Sequence, residues 1–332
     1  MKRLLRRANT RLSLGNAAAL LATSSLLGQG LGFLRVKLVN ANFPATGGGS
    51  TDAFFAAFKI PDFFYFTIAA GALGVAFMPV LADHLAKHDK KGVWELSTSL
   101  MNLLAIIMFV LGLIIFIFAE PLVHGVVAPN LDPEQLHNAT TIMRLIAFNP
   151  LLFTIGGVLT SVQQTFGRFF FFAMAPLIYN TSIIVSIFVF RDNLGLIGLG
   201  IGALVGALLQ LGIAVAGLSG LDFTYRRFID FNKPDFRRIL RQLPPRSIDQ
   251  GIMSINSIVD TNFARRLGTG YISFYENAYT LHTAPTLLIG TAISSAVFPH
   301  FNNSVAHGRM NEFRQEFLQI LRIIIWIATP VI

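Results

Sequence analysis

Charged side chains interrupt two apolar, membrane-length stretches between residues 29 and 81. A charge at the centre of a bilayer costs about 2.5–3.5 kcal/mol on insertion scales, and such groups usually face a cavity or a partner. We expect Arg35 and Lys59 to line an internal path for a phosphate-bearing ligand, since guanidinium and ammonium groups both bind phosphate. Lys37 is expected to reach the membrane interface instead. Asp52 either faces the same path or caps the helix that it begins.

A second polar set lies on one face of a later helix. Asp249, Met253, Asn256 and Asp260 follow one another at spacings of four, three and four residues, which places them on one side of a helix. Carboxylate, amide and hydroxyl oxygens are ligands that suit a hard cation. The pattern predicts a sodium site that includes Asp260, Asn256 and Asp249, or otherwise a polar helix face at an interface.

The sequence lacks the motifs of several common enzyme classes. The chain has no GxxxxGK[ST], HExxH or GxSxG sequence, and it contains no cysteine, so nucleotide-hydrolysing, zinc-protease and serine-hydrolase activities are not indicated. His84 and His88 have metal-ligand spacing, but their neighbours are lysines and a solvated surface is the favoured interpretation. We therefore predict a protein that is not an enzyme and that has no cofactor and no resident metal.

The composition predicts a polytopic, all-α membrane protein. Hydrophobic residues make up 53% of the 332 residues, charged residues only 13%, and there are 31 phenylalanines. A membrane helix needs about 20 apolar residues to cross a core of about 30 Å, and the apolar runs are too continuous for barrel strands. Nine spans are predicted, at residues 13–41, 51–86, 94–119, 136–164, 170–190, 194–218, 238–266, 271–305 and from 313 onward.

The basic residues predict the orientation. Eighteen Lys and Arg residues fall in the amino-terminal tail and in the loops on one side of these spans, against three on the other side. Because short cytoplasmic loops are enriched in Lys and Arg, the amino terminus is placed in the cytoplasm. The net charge of +9 is then explained by topology and by contact with anionic membrane lipid, and no nucleic-acid partner is expected.

Two parts of the chain resemble each other. Residues 70–88 match 290–308, and residues 51–61 match 275–285 when a short gap is allowed. The two copies have the same orientation, which predicts a parallel repeat about an axis along the membrane normal. Prolines occupy matched positions and remove helical hydrogen bonds, so we expect hinges at Pro61, Pro79, Pro285 and Pro299.

The repeat divides the chain into parts. We expect a six-helix lobe at residues 1–218, a basic cytoplasmic linker at 219–237, and the first three helices of a second lobe at 238–332. The ninth apolar segment is still apolar at the last residue, so the second lobe is expected to be incomplete. Transporters of this kind bind their substrate between the lobes.

The motifs that carry these residues resemble one family. They are LGFLR (31–35), TDAFFAAFKIP (51–61), AGALGVAFMP (70–79), QQTFGRFFFFAMAPLIYN (163–180), GALLQL (206–211) and VDTNFARRLGTGYIS (259–273). Together they are similar to the MurJ/MviN lipid II flippases of the MATE-like multidrug/oligosaccharidyl-lipid/polysaccharide exporter superfamily. The similarity covers the chain as the first nine of about fourteen family helices. It implies a MATE-like bundle of two lobes around a cationic cavity.

The resemblance also implies roles for single residues. Arg35 matches a cavity arginine of the first family helix, Asp52 the acid of the TDAF motif and Lys59 the lysine of AFK. Asp260 matches the acid of a VDT motif, which the family resemblance links to sodium. These matches imply substrate contacts for Arg35, Asp52 and Lys59, and coupling to sodium or to the membrane potential.

The chain departs from the family pattern at several cavity positions. Gln29, Phe66 and Thr280 stand where the family has arginines, and Tyr65 also replaces an arginine beside Phe66. Gln29 is retained among the expected substrate-binding residues. The loss of charged phosphate partners costs about 1–3 kcal/mol for each bond, so an altered headgroup site is predicted.

The resemblance implies a flippase of the bacterial cytoplasmic membrane. Its partner is undecaprenyl-pyrophosphate-linked glycan (lipid II), which alternating access carries to the outer leaflet for peptidoglycan synthesis; cell-wall synthesis proteins are further expected partners. Two alternatives stay open, namely an exporter of another polyprenyl-linked oligosaccharide and a non-transporting scaffold relative.

Overall fold

The computed structural model describes residues 14–70, 76–283, 301 and 309–329, and this part of the chain is helical without strands. The all-α fold class is confirmed. The hinge prolines predicted at 285 and 299 lie outside the described residues. The helices are α1 (Leu14–Asn42), α2 (Thr51–Phe64), α3 (Met78–Ala86), α4 (Lys90–Ile117), α5 (Ala119–Leu122), α6 (Pro133–Ile146), α7 (Asn149–Thr165), α8 (Phe170–Leu194), α9 (Leu196–Ala216), α10 (Pro234–Leu267), α11 (271–283) and α12 (Met310–Ala328).

Several of these elements are long and apolar enough to cross a membrane. Among the described residues these are Gly15–Asn42, Lys90–Ile117, Pro133–Thr165, Phe170–Leu194 and Leu196–Ala216. Their bounds lie within a few residues of the first and the third to sixth predicted spans. The chain is therefore a multi-pass membrane protein. In the described residues the predicted second span comprises α2, a π-helix and α3, and α10 begins with a polar segment.

The second predicted span is interrupted after a proline. Pro61 lies inside α2 and has no N–H group to donate to the preceding turn. A π-helix follows at Tyr65–Ala70, and such wide turns are frequent at functional sites. Pro79 lies in the first turn of α3, where a proline fits the helix without a kink. The hinge role of both prolines stays a prediction.

Two apolar cores hold the bundle together, one towards each end. One core combines first-lobe residues such as Phe54, Ile142 and Ile183 with Ala264 and Ile272 of the second lobe. The other combines residues of α3, α4 and α7 with residues near the start of α10. Helix α10 thus contributes to both cores, and it fixes the position of the second lobe against the first.

The end of the bundle that carries most basic loops has its own polar contacts. His84 Nδ1 lies 2.9 Å from an oxygen of Asp89, and His84 Nε2 lies 3.0 Å from an oxygen of Asp235 in the first turn of α10. Glu95 of α4 forms ion pairs with Arg226 and Lys233 of the segment before α10. These contacts attach the segment between the lobes to the first lobe. We call this the basic end.

Asp89 also caps α4, because its Oδ1 accepts a hydrogen bond of 2.8 Å from the Gly92 amide. Replacing Asp89 with alanine should lower the stability by about 1 kcal/mol, since the first turn loses this acceptor. The Gly92 bond, and then His84, hold the pKa of Asp89 below its ordinary value of 3.8. The contribution is therefore present at neutral pH and is lost as the pH falls below 3.8 through the folded-state pKa.

Thermal unfolding of the protein in lipid nanodiscs measures this effect. Asp89→Asn is the matched control, because its amide oxygen still accepts the bond but carries no charge. Equal melting temperatures for the wild type and Asp89→Ala at neutral pH would contradict the capping role.

Candidate ligand-binding cavity

A cavity of about 470 Å³ lies where the two lobes meet. It is bounded by α1, α2, the π-helix, α7, α8, α9 and α11. A second cavity of about 660 Å³ runs between α1 and α8. Both are lined by Arg35, Pro176, Tyr179 and Asn180, so the second cavity continues from the first along α1.

Lys59 links three helices at the cavity wall. Its ammonium group forms an ion pair with Glu276 of α11 and donates a hydrogen bond of 2.8 Å to Ser257 Oγ of α10. The side chains of Lys59 and Glu276 are 13% and 17% exposed. The partial burial strengthens the attraction relative to a surface pair. Lys59, which the sequence predicted as a ligand contact, is thus paired with Glu276 across the lobe interface in this conformation.

Arg35 and Asp62 line the same cavity as the Lys59–Glu276 pair. Among the described residues, neither of these two side chains makes a hydrogen bond or an ion pair. The ionisable lining residues therefore carry two positive and two negative formal charges. This differs from the cationic patch that the sequence predicted, because Glu276 and Asp62 were not assigned to the cavity wall.

Aromatic rings form a continuous wall on the first-lobe side. The ring centroids of Phe66 and Tyr65 are 5.3 Å apart, those of Tyr65 and Phe153 5.5 Å, and those of Phe153 and Tyr179 5.2 Å. Each pair packs edge to face, which is a favoured arrangement of aromatic rings. All four residues line the cavity. We call them the aromatic wall.

Two more predicted residues lie where the headgroup site was expected. Gln29 lines the cavity between α1 and α8 together with Arg35, and Thr280 lines the cavity between the lobes. Lys37, expected at the interface, is exposed and lines neither cavity. The structure thus brings Arg35, Lys59 and Gln29 to one connected space.

Asp52 has a different position from the one expected. It does not line either cavity, and it is fully buried. Its carboxylate accepts hydrogen bonds from the Gly270 amide (2.6 Å), the Ser273 amide (2.8 Å) and the Ser273 hydroxyl (2.6 Å). A carboxylate at this position stabilises the first turn of a helix. Asp52 therefore caps α11 and does not line the cavity.

Further contacts close the same end of the bundle. Thr51 Oγ1 lies 2.7 Å from Ser273 Oγ, and the Asn40 amide donates to Asn277 at 2.7 Å. The Arg265 guanidinium donates to the carbonyl of Asn130 at 2.6 Å. Each contact joins the first lobe to the second. We call this the closed end, and it lies opposite the basic end.

The predicted sodium ligands are only partly brought together. Asp260 Oδ2 accepts hydrogen bonds from Tyr275 (2.8 Å) and from the Asn256 amide (3.2 Å). Asp249 is exposed and contacts Gln250, about 16 Å from Asp260 along the helix at 1.5 Å per residue. A hard cation takes about six oxygens, and at one place these residues supply at most three, the two carboxylate oxygens of Asp260 and the amide oxygen of Asn256. In the part of the chain that the structure describes, no cluster of metal-ligating residues occurs.

This architecture defines a class of protein. Two lobes of membrane helices surround a polar and aromatic cavity, as in secondary transporters with a parallel repeat. Solved structures share the fold. They include lipid II flippase MurJ in an inward closed conformation (TM-score 0.75, 22% identity, 94% of this chain and 64% of that one) and a MATE multidrug transporter in an inward-facing conformation (TM-score 0.72, 17% identity, 93% and 68%).

The sequence assigns the family. The chain belongs to the MurJ lipid II flippase family, whose sequence model matches residues 47–332. A lipid II flippase MurJ from Burkholderia cenocepacia is 26% identical over 323 residues, which cover 94% of this chain and 62% of the relative. A probable lipid II flippase MurJ from Buchnera aphidicola of Schizaphis graminum is 25% identical over 294 residues, with 87% and 57% covered. The chain thus spans about 60% of the length of these relatives.

Proposed function

We propose that this chain forms the cavity-bearing part of a lipid II flippase, which moves undecaprenyl-pyrophosphate-linked peptidoglycan precursor across the bacterial cytoplasmic membrane by alternating access. The observation that carries the proposal is the cavity between the lobes, whose lining includes both Arg35 and Lys59. Membership of the MurJ family supports the same ligand. The work of the protein is transport, and no covalent step is needed.

The two ends of the bundle support a direction of transport from the cytoplasm outward. Basic loops are retained in the cytoplasm, so the basic end and the amino terminus are assigned to that side. The closed end then faces outward, and the ligand headgroup enters from the inner leaflet. Separation of the lobes at the closed end must break the Asp52 contacts with α11 and the Lys59–Glu276 pair. We infer that these contacts hold the state that accepts a ligand from the cytoplasm.

Complementation tests the proposal. Arg35→Ala and Lys59→Ala, each placed in the full-length gene, should abolish rescue of a bacterium depleted of its own lipid II flippase. Arg35→Ala removes a charge-assisted bond to phosphate, which weakens binding by about 1–3 kcal/mol. Lys59→Ala removes the ion pair with Glu276 that joins the lobes. Lys37→Ala is the matched control, because Lys37 is exposed and lines neither cavity. Membrane levels are compared by immunoblot, and undiminished rescue by both cavity variants would overturn the site assignment.

A second candidate function is export of another polyprenyl-linked glycan. The observation that favours it is the composition of the cavity, where Phe66 and Thr280 occupy family arginine positions and the formal charges of the lining balance. Failure of the wild-type gene to rescue, despite normal membrane levels, would favour this function over lipid II transport. Failure to move any polyprenyl-linked glycan in reconstituted vesicles would favour the scaffold alternative.

Sodium coupling and cell-wall partners remain predictions. Of the predicted sodium ligands, the structure brings together only Asp260 and Asn256, so no step of the proposed cycle is assigned to sodium. Coupling to the membrane potential stays open in the same way. We expect the basic loops to contact anionic lipid of the inner leaflet, and contacts with cell-wall synthesis proteins await a pull-down experiment.

A further inference from the structure

We propose that the cavity recognises the sugar of its lipid-linked ligand through the aromatic wall and recognises the phosphate through Arg35 alone. The inference rests on the proposed transport function and specifies which part of the ligand sets specificity. In this arrangement, the glycan contributes more to selectivity than the pyrophosphate does. The positions of the rings, the pairing of the cations and the polar groups beside the rings support this assignment.

The aromatic wall offers a preformed stacking surface. Phe66, Tyr65, Phe153 and Tyr179 contact one another in sequence at 5.2–5.5 Å, so each ring is held by its neighbour. Phe66 is 44% exposed although it lies inside the bundle. The C–H groups on one face of a sugar ring pack against the electron-rich face of an aromatic ring. Because the rings are already in place, little ordering entropy is lost when a sugar binds.

Among the described residues that line the cavity, the charges leave a single cation for the phosphate. Lys59 is held by Glu276 and Ser257, whereas Arg35 has no hydrogen-bond or ion-pair partner among the described residues. A guanidinium group binds one phosphate through two parallel hydrogen bonds. Asp62 lines the same cavity, and its negative charge repels a second phosphate group. The cavity therefore suits one phosphate contact rather than a clamp around a whole pyrophosphate.

Amide groups complete a sugar-binding set. Asn180 and Gln210 line the cavity with the aromatic wall, and both amides can donate to and accept from hydroxyl groups. The Asn180 amide nitrogen donates to the Pro176 carbonyl at 3.1 Å, which orients its oxygen. Pockets of this kind combine an aromatic surface with a few placed polar groups.

A lipophilic cation is the other ligand class that an aromatic cavity could bind. Asp62 would favour it, but Arg35 lines the same space and repels a positive charge. A sugar linked to an anion satisfies Arg35, the rings and the amides together. We therefore favour the glycolipid, and the cation becomes a probe in the test.

Binding to the purified full-length protein in lipid nanodiscs tests the inference. The probes are lipid II, undecaprenyl pyrophosphate without sugar, and tetraphenylphosphonium. Phe66→Ala should weaken lipid II binding at least fivefold and change undecaprenyl pyrophosphate binding less than twofold. Arg35→Ala should weaken the binding of both lipids by similar factors, because both carry the phosphate.

Matched variants keep the test specific. Phe66→Tyr retains the ring and should bind lipid II as the wild type does. Phe188→Ala removes an equally large ring that is 66% exposed and does not line either cavity, so its lipid II affinity should not change. Equal effects of Phe66→Ala on both lipids, or no effect on either, would overturn the inference and leave the transport function standing. Wild-type protein that binds tetraphenylphosphonium but neither lipid would overturn both.

Discussion

Replacing Asp52 with alanine is expected to destabilise the protein by about 3–5 kcal/mol and to loosen the closed end. The carboxylate is fully buried and accepts three hydrogen bonds from Gly270 and Ser273. Alanine would leave two backbone amides without their acceptor, and each buried unpaired group costs about 1–3 kcal/mol. The Ser273 hydroxyl would keep only its contact with Thr51. Helix α11 would also lose the negative charge at its first turn. The effect should therefore appear as instability together with detachment of α11 from α2.

Cross-linking separates these two effects. The chain contains no cysteine, so the pair Asn40→Cys and Asn277→Cys reports on the closed end without background; in the wild type these side chains are 2.7 Å apart. In the Asp52→Ala protein we expect a lower melting temperature and slower cross-linking. Asp192→Ala removes an acid that is 91% exposed, and it should change neither quantity.

Asp52→Asn provides a graded comparison. The amide oxygen can still accept a hydrogen bond, but the NH2 group faces other donors. We therefore expect a loss of stability larger than that of Asp192→Ala and smaller than that of Asp52→Ala. If Asp52→Ala melts and cross-links as Asp192→Ala does, the carboxylate has no capping role.

The sequence predicted the helices well because the signals for them are local. Apolar runs of membrane length fixed α1, α4, α8 and α9 to within a few residues. The interruption after Pro61 was expected only as a kink, and the π-helix at Tyr65–Ala70 was not expected. A proline signals a missing hydrogen bond, but packing against neighbouring helices decides which wider turn replaces it.

The site was predicted in part because its contacts join distant segments. Arg35 and Lys59 could be placed on a cavity wall, since a charge inside a membrane helix needs a polar environment. The partner of Lys59 is 217 residues away along the chain, and no local pattern identifies Glu276. The repeat did align Glu276 with Asp52, and this was the one available signal that the residue mattered. Asp52 was assigned to the substrate site because of its position in a motif. Its hydrogen-bond partners, Gly270 and Ser273, lie far away along the chain and are identified only by the folded structure.

Breaking the Lys59–Glu276 pair should have the other large effect. Lys59→Met is expected to cost about 2–3 kcal/mol, because a partly buried carboxylate loses its counter-charge. Glu276→Gln should cost less, since Lys59 keeps its hydrogen bond to Ser257 and the amide oxygen can still accept. The double variant should cost less than the sum of the single variants, because the residues interact directly. Melting temperatures of all four proteins give the interaction energy, and strict additivity would show that the pair contributes nothing.

Ligand binding distinguishes a switch from a merely structural pair. If Glu276 keeps Lys59 away from the ligand until the lobes separate, Glu276→Gln should release a second cation into the cavity. Lipid II and undecaprenyl pyrophosphate should then both bind more tightly, by about fivefold for one added charge-assisted bond. Transport should become slower, because the conformation that the Lys59–Glu276 pair holds is less stable. Glu120→Gln, which changes an exposed acid outside the cavity lining, is the control. Unchanged affinity for both lipids would mean that Lys59 serves the lobe interface and does not reach the ligand, so that Arg35 would remain the one cation acting on the phosphate.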